Sequence, residues 1–252
     1  MEKKIAEIKR EFEQAENNQL EELFACYAND SRAGVVGLIL KYQKKIQKEK
    51  AEELRLEKMS SFERQYEHLG HICGIDEVGR GPLAGPVVAG AVILPTGCKI
   101  PYLNDSKKLS ERKREELYDE IMDKAIAVAT GLVGPQRIDE INILQATYEA
   151  MREAVSKLTI QPQVLLNDAV TIPEVKILQV PIIKGDAKSV SIAAASIIAK
   201  VTRDRLMRQY DELMPEYGFA GNKGYGAAVH IEALKRIGAS PIHRVSFIKN
   251  FI

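Results

Sequence analysis

The chain has 252 residues, of which 45% are hydrophobic and 28% charged, with a formal net charge of +1 at pH 7. This composition excludes a disordered polymer, supplies enough apolar material for a real core, and fits one large domain or two smaller ones. Because charge balances over the whole chain, any anionic partner must be met by local patches. Three cysteines, Cys26, Cys73 and Cys98, are an odd and widely spaced set without a CxxC pair. That argues against a disulfide scaffold and a zinc site and fits a reducing cytoplasm. Among the four histidines, His68 and His71 have ligand-like spacing, but no cysteine or carboxylate clusters with them, and no HExxH motif occurs.

The opening MEKKIAEIKREFEQAENN is charged throughout and lacks an apolar h-region, so no signal peptide is expected. No run approaches the roughly 18 apolar residues of a membrane span. The expectation is a soluble, cytoplasmic, monomeric protein with no membrane partner. Residues 1–70 contain no proline, and Ile5, Ile8 and Phe12, then Val35, Leu38, Tyr42 and Ile46, recur at helical spacing. Asp30 and Ser31 can cap a second helix, and Ser60-Ser61-Phe62-Glu63 reads as a capping box before a short third one, stopped by Gly70. The basic run from Lys41 to Lys50 reads as a solvated helix face, with phosphate contact as the alternative. This gives an N-terminal helical extension over 1–70 and a second domain over 71–252.

From His71 the pattern turns to α/β. ICGID is a short apolar strand ending in acids, and PVVAGAVIL is a second strand without polar alternation, hence buried on both faces. A helix that Ser110 can cap precedes the strand AIAVATGLV, and Pro135 to Leu158 reads as one further helix. QVLLND and KILQVPII are strands. A long helix is predicted from about Ala187 to Met214, and a last one from about Ala227 to Ile237, closed by Gly238. Strands in succession followed by strands alternating with helices suggest a mixed sheet covered by helices.

The chemistry lies in four acids. Asp76 and Glu77, Asp168, and Asp186 each stand where an apolar strand runs out, the place where open α/β sheets put their ligand sites. Singly, each has a plainer reading: Asp186 as the N-cap of the long helix, Asp168 as a turn opener, Asp76 and Glu77 as an exposed strand end. Together they would repel one another unless a divalent cation intervened, and oxygen-only ligands suit Mg²⁺ or Mn²⁺. The loop GRGPLAGP is a poor dinucleotide fingerprint, since prolines interrupt it and a strand follows it. It reads instead as a tight loop whose backbone approaches a ligand closely, with Arg80 available for phosphate. Lys107, Lys108, Arg112, Lys113 and Arg114, with Lys184, Lys188, Lys200, Arg203 and Arg205, supply local positive charge for a phosphate backbone. Tyr225, between glycines in GNKGYGAAVH, can stack on a sugar or base.

The strings GIDEVGRGPLAGPVVAGAVIL, DSKKLS, VLLNDAV, IIKGDAKSVSIAAASIIAKVTRD, NKGYG and PIHRVSF, in this order over residues 71–252, resemble bacterial ribonuclease HII, the type 2 ribonuclease H. Residues 1–70 look like the extra helical segment that some members carry. The resemblance implies a ribonuclease H-like mixed five-stranded sheet flanked by helices, with a helical C-terminal part. It implies hydrolysis of the RNA strand of RNA/DNA hybrids and incision on the 5′ side of single ribonucleotides in duplex DNA, leaving 3′-hydroxyl and 5′-phosphate ends. It also implies two Mg²⁺ or Mn²⁺ ions per site with substrate bound. On this resemblance Asp76, Glu77, Asp168 and Asp186 are the metal-binding catalytic acids. Gly79, Arg80 and Gly81 read the 2′-hydroxyl, Tyr225 packs on the next deoxyribose, and Lys107, Lys108 and Lys184 contact phosphates.

One departure stands beside the third acid. Asn167 precedes Asp168 where members usually carry an apolar residue, so the asparagine is expected to reorient the carboxylate or to add a hydrogen bond. Two rival readings are a ribonuclease HIII-like enzyme, with a sheet-containing N-terminal domain and a taste for ribonucleotide runs, and a non-catalytic hybrid-binding module. The terminal RVSFIKNFI is a candidate sliding-clamp contact or a cover for the sheet.

Overall fold

A computed structural model of the chain describes residues 3–252. It divides into two compact units, Met1–Glu57 and Lys58–Ile252. The first contains α1 (Ile5–Gln14), α2 (Leu20–Tyr27) and most of α3 (Ala33–Met59). The apolar spacing read from the sequence does the packing here. Ile8, Phe12, Val35 and Tyr42 are buried together with Leu20 and Tyr27, and the Phe12 ring sits 5.1 Å from that of Tyr42.

The second unit adds α4 (Ser61–Tyr66) and then a five-stranded sheet: β1 (Ile72–Val78), β2 (Val87–Ile93), β3 (Ala127–Val133), β4 (Val164–Asp168) and β5 (Leu178–Ile182), in the order β3-β2-β1-β4-β5. β2 runs antiparallel to β1 and β3, whereas β4 and β5 run parallel to β1. β2 is buried at every residue, as its unbroken apolar run predicts. The helix α5 (Glu111–Lys124) is capped by Ser110, whose hydroxyl accepts from the Lys113 amide. α6 (Pro135–Ser156) covers one face of the sheet and α7 (Val190–Leu213) the other. α8 (Phe219–Asn222), α9 (Ala228–Ile237) and α10 (Val245–Ile248) close the C-terminal part around Leu83, Met207, Phe219 and Leu234.

Three local expectations are corrected. α6 is not one smooth helix: Asn142 adopts φ 67° and ψ 165°, and its side-chain oxygen accepts from the amides of Leu144 and Gln145, starting the helix afresh. α7 is capped by Ser189, whose hydroxyl accepts from the Ile192 amide; Asp186 lies in a separate 3₁₀ turn, Gly185–Ala187, and is free of capping duty. The Glu63 carboxylate does not complete a local capping box. It accepts from the Ser189 hydroxyl at 2.6 Å and the Ser191 amide at 3.0 Å, so that α4 caps α7 across the sequence.

The approach of α7 to the sheet depends on two glycines. A Cβ on Gly74 would lie 2.0 Å from the Ser191 backbone, and one on Gly90 would lie 2.4 Å from the Ala195 carbonyl oxygen. Without side chains there, the helix backbone lies directly on β1 and β2. Among the described residues no helix is long and apolar enough to cross a membrane.

Candidate active site

The parallel register assembles the acids. β1 pairs with β4 as Ile72 with Val164 through Ile75 with Asn167, so the next residue on each strand is an aspartate, Asp76 beside Asp168. β5 pairs Ile182 with Asp168, and the turn that follows it delivers Asp186. Three adjacent parallel strand ends therefore converge, and ligand oxygens of Asp76, Asp168 and Asp186 lie within 4.8 Å of one another. Asp76 and Asp186 are buried and Asp168 is half-buried. The Gly185 amide donates to Asp168 Oδ1 at 2.7 Å, tying the third strand end to the second. Glu77 is not within this cluster; its Oε1 lies 3.4 Å from Arg80 Nη1.

Burial, then the charge of Glu77 and that of Asp168, hold the Asp76 carboxyl well above the ordinary carboxylate range, against the pull of the Ser196 hydroxyl and the Glu77 amide. Burial raises Glu77 as well, with Arg80 pulling back. Asp186 is raised by burial, then by Asp105 and Asp168, while Lys107 opposes. The Lys107 ammonium, though partly desolvated, is held above its usual value by Asp105 and by the three clustered aspartates. The site is thus an excess of negative oxygen, mostly buried, with Lys107 and Arg80 set against it. That donor set fits a hard divalent metal ion, which would relieve the repulsion among the carboxylates.

Beside the cluster, the Gly79–Gly81 turn leaves β1. Gly79 has φ 89°, and a Cβ there would lie 2.3 Å from Arg203 Nε. Two fully buried arginines shape this turn. Arg244 donates to the carbonyls of Arg80 (2.8 Å), Gly79 (2.5 Å) and Gly85 (2.8 and 3.0 Å). Arg203 donates to those of Pro86 (2.9 Å), Ala84 (3.1 Å) and Lys223 (2.8 Å). The Lys223 bond joins the turn to the loop that carries Tyr225, and the amide of Leu83 adds a bond to the Gly224 carbonyl at 2.8 Å. Tyr225 is half-exposed, and its Cε1 lies 3.7 Å from where a Gly81 side chain would begin.

A family model described as Ribonuclease HII matches residues 73–250, and one described as Ribonuclease HII N-terminal domain matches residues 4–67. The chain is 62% identical over 247 residues to Ribonuclease HII of Lachnoclostridium phytofermentans, covering 98% of this chain and 97% of that one. It is 50% identical to Ribonuclease HII of Clostridioides difficile over 99% of both chains. The chain belongs to the ribonuclease HII family. Its activity is ribonuclease HII activity, the cleavage of RNA in RNA/DNA hybrids. Two solved structures share the fold: ribonuclease H2 from Pyrococcus horikoshii (30% identity, TM-score 0.58, 70% of this chain and 93% of that one), and the archaeal RNase HII in the PCNA complex from Archaeoglobus fulgidus (28%, 0.59, 71% and 96%). For a ribonuclease HII the buried aspartate cluster suits metal-dependent catalysis.

The remaining sequence candidates separate. Lys107, Lys108, Lys184 and Lys188 are exposed, and Lys184 sits at φ 58° just before the Asp186 turn. The positive charge assigned to α7 is mostly spent internally. Arg203 is buried, Lys200 bonds Asp204 at 2.6 Å, and Arg205 bonds Glu115. Arg114 is likewise turned inward, since it donates to the carbonyls of Ser106 and Leu109 and braces the DSKKLS turn. Asn167 is fully buried and gives its amide to Gln179 at 2.8 Å, so the hydrogen bond it adds goes to β5 and not to Asp168. In the C-terminal tail, Ile248 is buried and Phe247 and Phe251 pack against the helical core, and only Phe247 also packs against the core on the sheet.

Sequence reasoning missed several contributors to this ribonuclease HII site. Asp105 raises Asp186 from the DSKKLS turn, and the Ser106–Ser196 hydroxyl pair, 2.9 Å apart, links that turn to the helix behind Asp76. Arg244 was unmarked because its partners are carbonyls of residues 79, 80 and 85, distant in sequence, and no local pattern signals its burial.

Proposed function

We propose that the chain incises duplex DNA on the 5′ side of a single embedded ribonucleotide, leaving 3′-hydroxyl and 5′-phosphate ends, with two Mg²⁺ or Mn²⁺ ions held by Asp76, Asp168, Asp186 and Glu77. The observation that carries this reading is the adjacency of the aspartate cluster to the Gly79–Gly81 turn and the Tyr225 loop. When bound, the ions supply activation of water and stabilisation of the leaving oxygen. The aspartates hold a fixed, buried negative pocket in which a phosphodiester is tolerated only with such cations present. The backbone of Gly79–Gly81, pinned by Arg203 and Arg244, tests for a 2′-hydroxyl, the one group that marks a ribonucleotide. Tyr225 packs on the sugar to the 3′ side, where an added hydroxyl would crowd its ring. Arg80, Lys107, Lys108 and Lys184 meet phosphates; the nearness of Lys107 to the cluster supports its part in this.

The free cysteines support a reducing, cytoplasmic setting. A clamp contact by the C-terminal tail would use its exposed residues, Val245 and Ile252, because Phe247 and Phe251 are engaged in the core. The described residues of the first unit contain no strand, which separates it from the sheet-bearing N-terminal domain expected of a ribonuclease HIII-like enzyme. Two duplexes test the proposal, one with a single ribonucleotide and one with four in a row. Efficient cutting 5′ of the single ribonucleotide, with either metal, is expected. Cutting of the run alone would overturn it in favour of the ribonuclease HIII-like reading.

A further inference from the structure

The loop carrying Tyr225 is held on its far side by two histidines. His230, in the first turn of α9, is fully buried, and His243 is 3% exposed. Their Nε2 atoms meet at 2.8 Å. His230 Nδ1 lies 2.8 Å from the Tyr225 carbonyl oxygen. At the other end His243 Nδ1 accepts from the Ser240 amide at 2.9 Å, with the Ser240 hydroxyl at 2.8 Å.

These end groups determine every proton between them. An amide N–H only donates and a carbonyl oxygen only accepts. His243 therefore carries its hydrogen on Nε2 and donates to His230 Nε2. That leaves the His230 hydrogen on Nδ1, where it donates to the Tyr225 carbonyl. A second proton on either ring would set two N–H groups against each other. The surroundings agree with neutral rings: Tyr217 lies 4.8 Å from His243, and Phe219 meets His230 edge-on at 5.2 Å. Burial lowers both histidines, and with His230 alongside, His243 is brought down to about 4.

We propose that His230 and His243 are positioning residues for Tyr225: a one-directional hydrogen-bond chain from the Ser240 amide to the Tyr225 carbonyl fixes the loop on which that ring stands, and thereby sets the enzyme's preference for an isolated ribonucleotide. The inference rests on the role given to Tyr225 above. Arg203 and the Leu83 amide hold Lys223 and Gly224, on the loop's N-terminal side. The histidine pair holds its C-terminal side, where the Ala227 amide is the other partner of the same carbonyl.

Two measurements on the full chain test this. In ¹⁵N–¹H correlation spectra of the imidazoles, His230 should be the Nδ1–H tautomer and His243 the Nε2–H tautomer, both still neutral below the ordinary histidine range. An Nε2–H form at His230, or an imidazolium at either position near neutral pH, overturns the chain of bonds. Second, Tyr225→Ala, His230→Leu, His230→Asn and the double variant Tyr225→Ala/His230→Leu are assayed on a single-ribonucleotide duplex and on a continuous RNA/DNA hybrid. Tyr225→Ala and His230→Leu should each lower the ratio of the two rates about tenfold. His230→Asn, whose amide still donates to the carbonyl, should lower it about twofold, and the double variant should fall no further than Tyr225→Ala. Equal losses on both substrates in His230→Leu, or multiplied losses in the double variant, would show a merely structural histidine and overturn the proposal. If Tyr225→Ala leaves the ratio intact, the Tyr225 reading fails and the specificity claim falls with it, while the tautomer result stands by itself.

Discussion

Replacing Asp76 with asparagine should abolish cleavage and at the same time stabilise the metal-free protein. Ligand oxygens of Asp76, Asp168 and Asp186 lie within 4.8 Å of one another. Two unit charges at that spacing repel by about 3.5 kcal/mol at an effective dielectric near 20, so three full charges would cost on the order of 10 kcal/mol. That is comparable to the net stability of a whole domain. Without metal the cluster responds by holding protons, which is the sense of the raised Asp76 and Asp186. Asp76→Asn keeps an acceptor for the Glu77 amide and deletes two of the three repulsions. Allowing for protons already bound, it should recover about 1–3 kcal/mol, or about 2–12 °C in Tm for a protein of this size. A carboxyl whose folded pKa is raised penalises the fold above that pKa, and the penalty disappears as pH falls toward the unfolded value. The gain from Asp76→Asn should therefore be largest at mildly alkaline pH and shrink on acidification. Saturating Mg²⁺ should reverse the order by stabilising the wild type alone. Circular-dichroism melts in EDTA and in Mg²⁺, paired with hybrid cleavage, provide the assay, and the rate should fall by about 10³ or more. A metal-free variant less stable than wild type at alkaline pH, with Mg²⁺ raising both melts equally, would refute the reasoning.

With the metal held as proposed, protons would compete with it at Asp76, Glu77 and Asp186, all of them raised, so metal affinity should begin to weaken at a higher pH than ordinary carboxylates would allow. Titration calorimetry with Mn²⁺ across pH checks this, and a flat profile down to the ordinary carboxylate range would contradict it. Gly79→Ala should cost about 1–3 kcal/mol of stability and most of the activity, because φ is 89° and the new Cβ would strike Arg203. Gly97→Ala, at φ 71° with nothing within 4 Å, isolates the backbone strain and should leave cleavage intact. Glu63→Ala should lower the melting midpoint by the equivalent of about 1–2 kcal/mol, since the Ser191 amide and Ser189 hydroxyl lose their acceptor; an unmoved midpoint would remove α4 from the support of α7.

The strands and the acids at their ends were legible because each carboxylate interrupts an apolar run, a contrast that survives in one dimension. Their convergence was not. It follows from the parallel register of β1, β4 and β5, which no local pattern encodes. Burial of long charged side chains was the least legible feature. Arg203 was grouped with surface lysines by charge, yet it has no exposure, because its partners are carbonyls of residues 84, 86 and 223, distant in sequence. Glu63 had the spacing of a local cap but found Ser189 and Ser191 instead, a tertiary contact overriding a local preference. Asn142 gave no warning of the break in α6, as asparagine is an ordinary helix-surface residue until its side chain turns back on the backbone. Asn167 was read through its neighbour Asp168, whereas the alternation of β4 sends it to Gln179.

Asp76, Asp168 and Asp186 are expected to hold a divalent cation together. Crystals of the full chain soaked in Mn²⁺ and measured at the manganese absorption edge test this. An anomalous peak in contact with all three carboxylates is the expected result. Manganese bound elsewhere, with the three side chains turned apart, would contradict the account.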